Sequence, residues 1–374
     1  MIGLTNSDRT PLLAPLPIRP ILPFMNRHAV MLALLSAALF GVSTPAAKAL
    51  MGAIDPAVLA GLLYCGAGLG VAVLRRVARP FIGPGAAETP LARADLPWLA
   101  GAIALGGVAG PLLLMFGLAR TDAGSASLLL TLEGVATALI AWFVFHENVD
   151  RRVALGMACL AAGALVLSWT GTPTLSGVIG PAAIVGACAA WGLDNNLTRK
   201  VSLAEPLQIV ELKGLIAGPV SLAIGFAAGG GLPAPGPLAL AALVGFFGYG
   251  VSLALFVVAL RHLGSARTGA YFSTAPFLGA IAAIALLDEP VTARLALAGA
   301  LMALGVWLHL TERHAHAHEH APLVHAHAHV HDEHHRHAHA PSDPPGEPHA
   351  HEHRHAFMRH THPHAPDMHH THRH

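Results

Sequence analysis

The sequence predicts an all-α integral membrane protein: ten transmembrane helices as two inverted five-helix repeats, followed by a disordered His-rich tail. Three observations carry that reading. The 374 residues are 54% hydrophobic and 11% charged, with a mean hydropathy of +0.56. The apolar part matches itself when shifted along the chain. And 23 of the 27 histidines fall after Leu310. Between Ala29 and Leu310 there are 14 Lys and Arg and 12 Asp and Glu, far below the roughly 25% charge of soluble domains, so a soluble globular enzyme is excluded. A net charge of +1 makes no basic face for nucleic acid. The expected partners are the lipid bilayer and a small-molecule or ion substrate, with a homodimer left open. Cys65, Cys159 and Cys188 lie in apolar runs without C-x-x-C spacing, which reads as buried small residues rather than a disulfide or iron–sulfur set.

A helix needs about 20 mostly apolar residues to cross the hydrocarbon core. Ten stretches qualify: 29–50, 56–74, 97–119, 123–145, 151–169, 177–198, 206–228, 237–260, 266–287 and 292–310. They are rich in Ala, Gly, Leu and Val, which suits close helix approach in lipid. Connections are short except at 75–96, where four arginines and three prolines gather. Residues 1–28 carry no apolar core with a cleavage site and read as a cytoplasmic N-terminal segment. Ten spans with that start place fourteen Lys and Arg inside and only Lys48, Arg120 and Arg294 outside. The positive-inside rule then puts both termini in the cytoplasm.

Shifting the chain by 142 residues lays Glu147 on Glu289, Arg152 on Arg294, Leu155 on Leu297 and Gly163 on Gly305. A shift of 151 lays Phe40-Gly41 on Trp191-Gly192 and Lys48 on Arg199. The halves are 29–170 and 177–310. Five spans each means the second half enters the membrane upside down, the architecture of secondary transporters with a site near the midplane.

The stretch Phe40-Gly41-Val42-Ser43-Thr44-Pro45, the helix end Trp142-Phe143-Val144-Phe145-His146-Glu147 and its counterpart Leu286-Leu287-Asp288-Glu289-Pro290 resemble the drug/metabolite transporter superfamily, in its EamA-type members. The resemblance covers 29–310, and the tract Trp191–Lys200 with the tail resembles a bacterial subgroup. It implies a multi-pass bacterial-type inner membrane protein that moves a small polar metabolite or drug-like solute, expected to be an exporter.

Charged groups at mid-bilayer cost a few kcal/mol on insertion scales and normally face the bundle interior. Glu133 lies ten residues into its span and its repeat counterpart is Ala275, so it is not shared scaffold. It suits proton coupling or a cationic solute, or else a structural hydrogen bond. Asp194, Asn195 and Asn196 cover most of a helix circumference, so at least one lines a cavity or helix contact. In the next span Gln208 and Glu211 share a face while Lys213 points away; an Asp194–Lys213 pair would let the membrane tolerate both. Tyr64, Tyr249 and Tyr271 read as interfacial or packing residues. Pro45, Pro111, Pro219 and Pro276 break backbone bonds within spans. There is no Walker A, G-x-S-x-G or H-E-x-x-H sequence, so the chain is read as neither an enzyme nor in need of a cofactor.

The tail, 311–374, is polar and proline-broken, hence disordered by composition. Its imidazoles suit Zn²⁺, Ni²⁺, Co²⁺ or Cu²⁺. The candidate ligands are His314, His316, His318, His320, His325, His327, His329, His331, His334, His335, His337 and His339. Two alternatives therefore stand beside solute transport: a divalent metal-ion (Zn/Ni/Co) transporter or metal-regulated permease, and a membrane-anchored metal sensor.

Overall fold

The computed structural model describes residues 27–78, 91, 93–145, 151–169, 175–201, 205–263, 268 and 271–311, with the backbone of 314–320, 323–329, 349–355 and 358–364. The predicted N-terminal segment 1–28 lies almost wholly outside these residues. Helix α1 is Arg27–Leu50, α2 Pro56–Ala78 and α3 Leu96–Leu118. The fourth span comes in two pieces, α4 Ala123–Leu129 and α5 Leu132–Phe145. Then follow α6 Arg151–Ser168, α7 Leu175–Lys200 and α8 Pro206–Ala227. Pro235–Gly245, Phe246–Val251 and Ser252–Leu263 run on as α9, and α10 Ala275–Leu287 and α11 Ala293–Leu310 complete the bundle. Eight spans are long and apolar enough to cross a membrane, and α10 and α11 supply two shorter apolar helices.

The bundle wears its apolar residues outward as well as inward. Leu69, Phe143, Leu165, Ile281 and Leu286 are each 60% exposed or more, a surface that water would not tolerate and hydrocarbon does. Trp98, Trp142, Trp169 and Trp307 are exposed near helix ends, where indole rings anchor at the interface. Trp191 alone of the five is buried.

Reciprocal contacts make the inverted repeat visible. Arg152, opening α6, donates to the carbonyl of Thr311 at the end of α11 (2.9 Å), while Arg294, opening α11, donates to Trp169 at the end of α6 (2.7 Å). These are the same bond made twice, since the shift that lays Arg152 on Arg294 lays Trp169 on Thr311. Gly163 packs on Met302 as Gly305 packs on Leu160, again one contact and its image. Gly41 lets α1 touch the backbone of Ala275, and Gly192 lets α7 touch Ala136.

The two ends of the bundle differ. We call the end bearing Arg27 and Leu310 the terminal side. The main core, with Leu59, Leu63, Leu114, Leu118 and Leu129, fills the far half. There two carboxylates serve the first three N–H groups of α4: Glu289 accepts from Ala123 (2.6 Å) and Gly124 (2.7 Å), and Asp122 from Ser125 (2.7 Å). A helix end in a membrane protein has such orphan donors and no water to satisfy them. Asp288, left-handed at φ 53°, ends α10 just before Glu289. Lys48 meanwhile donates to the carbonyls of Leu118 (2.5 Å) and Thr121 (2.8 Å) at the end of α3. Glu147, the repeat counterpart of Glu289, lies outside the described residues.

Part of the tail is described by its backbone alone. Four of its segments are extended: β1 His314–His320 pairs antiparallel with β4 Met358–His364, and β2 Leu323–His329 with β3 His349–His355. The composition that argues for disorder also alternates with a period of two, the period of a strand. Side chains of the tail, and all of His331, His334, His335, His337 and His339, lie outside the described residues.

Glu289→Ala should lower the thermal midpoint of the detergent-solubilised protein, since two buried N–H groups lose their acceptor at about 1–3 kcal/mol each. Glu289→Gln, retaining one acceptor, should lose less. Equal midpoints for Ala and parent in a scanning fluorimetry experiment would remove Glu289 from the far-side closure.

Candidate solute site at a broken helix

The fourth span is interrupted at mid-bundle. Leu130 and Thr131 form a turn between α4 and α5, and the Thr131 hydroxyl donates back to the Leu128 carbonyl (2.8 Å). The ninth span repeats this. Thr274 donates to the Tyr271 carbonyl (2.6 Å) immediately before α10, whose first turn holds Pro276. A hydroxyl that back-bonds offers the chain an alternative to the helical ladder, and Pro276 lacks an N–H. Glu133 sits in the first turn of α5, where the positive end of the helix favours a carboxylate.

A second irregularity is also duplicated. Ile103–Ala109 in α3 and Phe246–Val251 in α9, at repeat-related positions, are π-helical, a form that leaves backbone groups for other partners. The Gly106 carbonyl accepts from Tyr64 Oη (2.8 Å) and Trp191 Nε1 (2.9 Å). Gly106 must lack a side chain, because a Cβ there would overlap the Asp194 carboxylate.

Between these irregular segments lies a cavity of about 600 Å³ lined by Glu133, Asp194, Asn195, Lys213 and a run of aromatic rings. Lys213 donates to both carboxylate oxygens of Asp194 (2.7 and 2.6 Å), and Thr198 donates to one of them (2.9 Å). Asn195 donates to Glu133 Oε1 (3.0 Å) and to Thr137 Oγ1 (3.2 Å). Among the described residues Glu133 joins no ion pair. Consecutive ring centroids from Tyr64 to Tyr249, Phe40, Phe272 and Phe256 are 4.9–5.8 Å apart. The cavity reaches toward the terminal side along Thr198, Ile209 and Val257, and the far-half core closes it opposite. Glu133, Phe40 and Phe272 also border a smaller cavity of about 250 Å³.

Of the six residues singled out in the sequence, four therefore meet: Glu133, Asp194, Asn195 and Lys213. Asn196 instead donates to the backbone carbonyls of Gly192 (2.8 Å) and Thr137 (3.3 Å), tying α7 to α5. Glu211 is bonded to Arg75, which also holds Glu205 (2.6 Å), and is not among the residues lining the cavity. Tyr64 and Tyr249 pack against the hydrophobic core, as expected, and also line the cavity. Phe40 and Trp191, which the 151-residue shift lays on each other, also both line it.

Broken helices, inverted halves and a mid-bundle cavity with a carboxylate in its wall are the architecture of a membrane transport protein. Residues 27–169 and 178–311 each match the EamA-like transporter family, and the chain belongs to that family. It is 28% identical over 281 residues to an uncharacterized transporter of Methanothermobacter thermautotrophicus, covering 72% of this chain and 82% of that one. Over 76 residues it is 46% identical to a probable 4-amino-4-deoxy-L-arabinose-phosphoundecaprenol flippase subunit ArnE of Pseudomonas paraeruginosa, 20% of this chain and 63% of that one. A solved crystal structure, 16% identical, shares the fold with a TM-score of 0.55 over 75% of this chain and 95% of its own.

The Asp194–Lys213 pair yields a clean test. Lys213→Met alone strands a buried carboxylate, expected to cost about 3–5 kcal/mol, whereas Asp194→Asn with Lys213→Met should regain most of the thermal midpoint. A double variant as unstable as the single would show that the pair is not the issue.

Proposed function

We propose that this chain is a secondary transporter that exports a small polar solute bearing a cationic group, with Glu133 as its contact or as the carrier of a coupling proton. The observation that carries the proposal is the placement of Glu133: a carboxylate at a helix break, lining the cavity, with an amide rather than a cation as its side-chain partner. Aromatic faces around it attract cations as well. The ArnE relatives, whose described substrate is an aminosugar on a lipid phosphate, agree with a cationic group in the cargo. The Lys and Arg bias favours a cytoplasmic terminal side, which would let the cavity take up cytoplasmic solute, compatible with export.

A metal ion as cargo is the weaker reading. Among the described residues no group of three or more His, Cys, Asp or Glu comes together, whereas a borderline cation wants several such donors.

Glu133→Gln keeps the shape and the hydrogen bond from Asn195 but neither titrates nor holds charge. In a deletion strain screened for solute tolerance and complemented with the variant, transport should be abolished at normal protein level and thermal midpoint. Glu133→Leu should also lower the midpoint. Transport retained in Glu133→Gln would overturn the role of Glu133. Reporter fusions should read periplasmic after Thr170 and cytoplasmic after His374; a periplasmic reading at His374 would overturn the orientation.

A further inference from the structure

The tail pairs histidine with histidine. In the β1–β4 ladder His314, His316 and His318 have His364, His362 and His360 as register partners. In the β2–β3 ladder His325, His327 and His329 have His353, His351 and His349. Residues two apart on a strand share a face, and so do register partners. Each ladder therefore carries seven histidine positions on one face, six of them in His–His register pairs, with His320 opposite Met358 and His355 opposite Leu323. The intervening positions, on the other face, are occupied differently: Ala315, Ala317 and Glu319 opposite Pro363, Thr361 and Arg359, and Val324, Ala326 and Ala328 opposite Arg354, Glu352 and Ala350.

We propose that each histidine face is a divalent-metal site of borderline type, for Zn²⁺, Ni²⁺, Co²⁺ or Cu²⁺, completed only when two segments distant in the sequence pair. Cross-strand register positions have Cβ atoms about 4.5–5.5 Å apart, a spacing compatible with two histidine positions serving one metal ion, and neutral imidazole is the nitrogen donor these ions prefer. The second half of each site, His349–His353 and His360–His364, lies beyond the twelve candidates the sequence singles out. A two-stranded ribbon is at best marginally stable in water. An ion that binds the paired form and not the open one adds RT ln(1 + [L]/Kd) to its stability, so metal and ladder form together. β1 begins just after Thr311, the end of the bundle; an occupied outer ladder holds residues 358–364 beside that point. The proposal stands apart from the identity of the transported solute.

Register makes it testable on the full-length, detergent-solubilised protein, with Zn²⁺ as the probe and a chromophoric chelator as competitor at pH 7.5. The parent should hold at least two tight ions and release them near pH 5, where protons compete for imidazole. Replacing His314, His316 and His318 with Asn should abolish one tight ion, and so should replacing His360, His362 and His364. All six together should still abolish only that one. Six replacements across ladders, the first three with His349, His351 and His353, should abolish two. Equal losses for the two six-residue variants would overturn the paired sites in favour of an unregistered imidazole reservoir, and absence of tight Zn²⁺ in the parent would overturn metal binding altogether.

Discussion

Hydrocarbon offers no hydrogen bonds, so each backbone N–H and C=O in a span must find a partner inside the protein. The whole design of this bundle follows from how it meets that demand where its helices are irregular. The breaks before α5 and α10 are held by Thr131 and Thr274 hydroxyls. The π segment of α3 gives its Gly106 carbonyl to Tyr64 and Trp191. The start of α4 is served by Glu289 and Asp122, and the end of α3 by Lys48. Irregular backbone at membrane depth survives where it is buried in protein or lines a cavity, and here the breaks and π segments gather around one space.

The same economy explains why the two halves share a scaffold but not a site. Arg152 and Arg294, Gly163 and Gly305, and the paired helix breaks are common to both repeats. Their contacts are backbone-directed and indifferent to cargo. Glu133 and its counterpart Ala275 differ, and so the polar cluster lies on one side of the pseudo-twofold axis, bounded by α5, α7 and α8. Asp194 and Lys213 neutralise each other there, with side chains 8% and 16% exposed, while Glu133 has the Asn195 amide as its side-chain partner.

Much of this was legible in the sequence. Span positions follow from hydropathy, because lipid selects on composition alone. The inverted repeat follows from a handful of coincident Glu, Arg and Gly residues. The Asp194–Lys213 pair could be foreseen because opposite charges in adjacent spans have few other ways to be buried. The helix breaks could not. Leu128–Leu132 looks as helical as its surroundings, and at the break the Thr131 hydroxyl bonds back to the Leu128 carbonyl. The π segments were hidden for a like reason, since Ile103–Ala109 is an ordinary Ala/Gly/Val stretch whose register is set by packing. The bond from Asn195 to Glu133 depends on Gly192 bringing α7 against Ala136. In the tail, the alternation of histidine with a period of two is the signal that matches its four extended segments.

The central claim is that Glu133, beside the Asp194–Lys213 pair and under the aromatic rings, binds the solute. Ligand-induced thermal stabilisation tests it without transport. A panel of small amines, amino acids and aminosugars is scanned against the purified parent, and each stabilising compound against Glu133→Gln and, as a control remote from the cavity, Arg294→Gln. A true ligand raises the midpoint as its concentration passes Kd. The account predicts that the best stabiliser carries a cationic group and loses its effect in Glu133→Gln while keeping it in Arg294→Gln. A stabiliser that acts equally on parent and Glu133→Gln would place the binding site elsewhere and contradict the account.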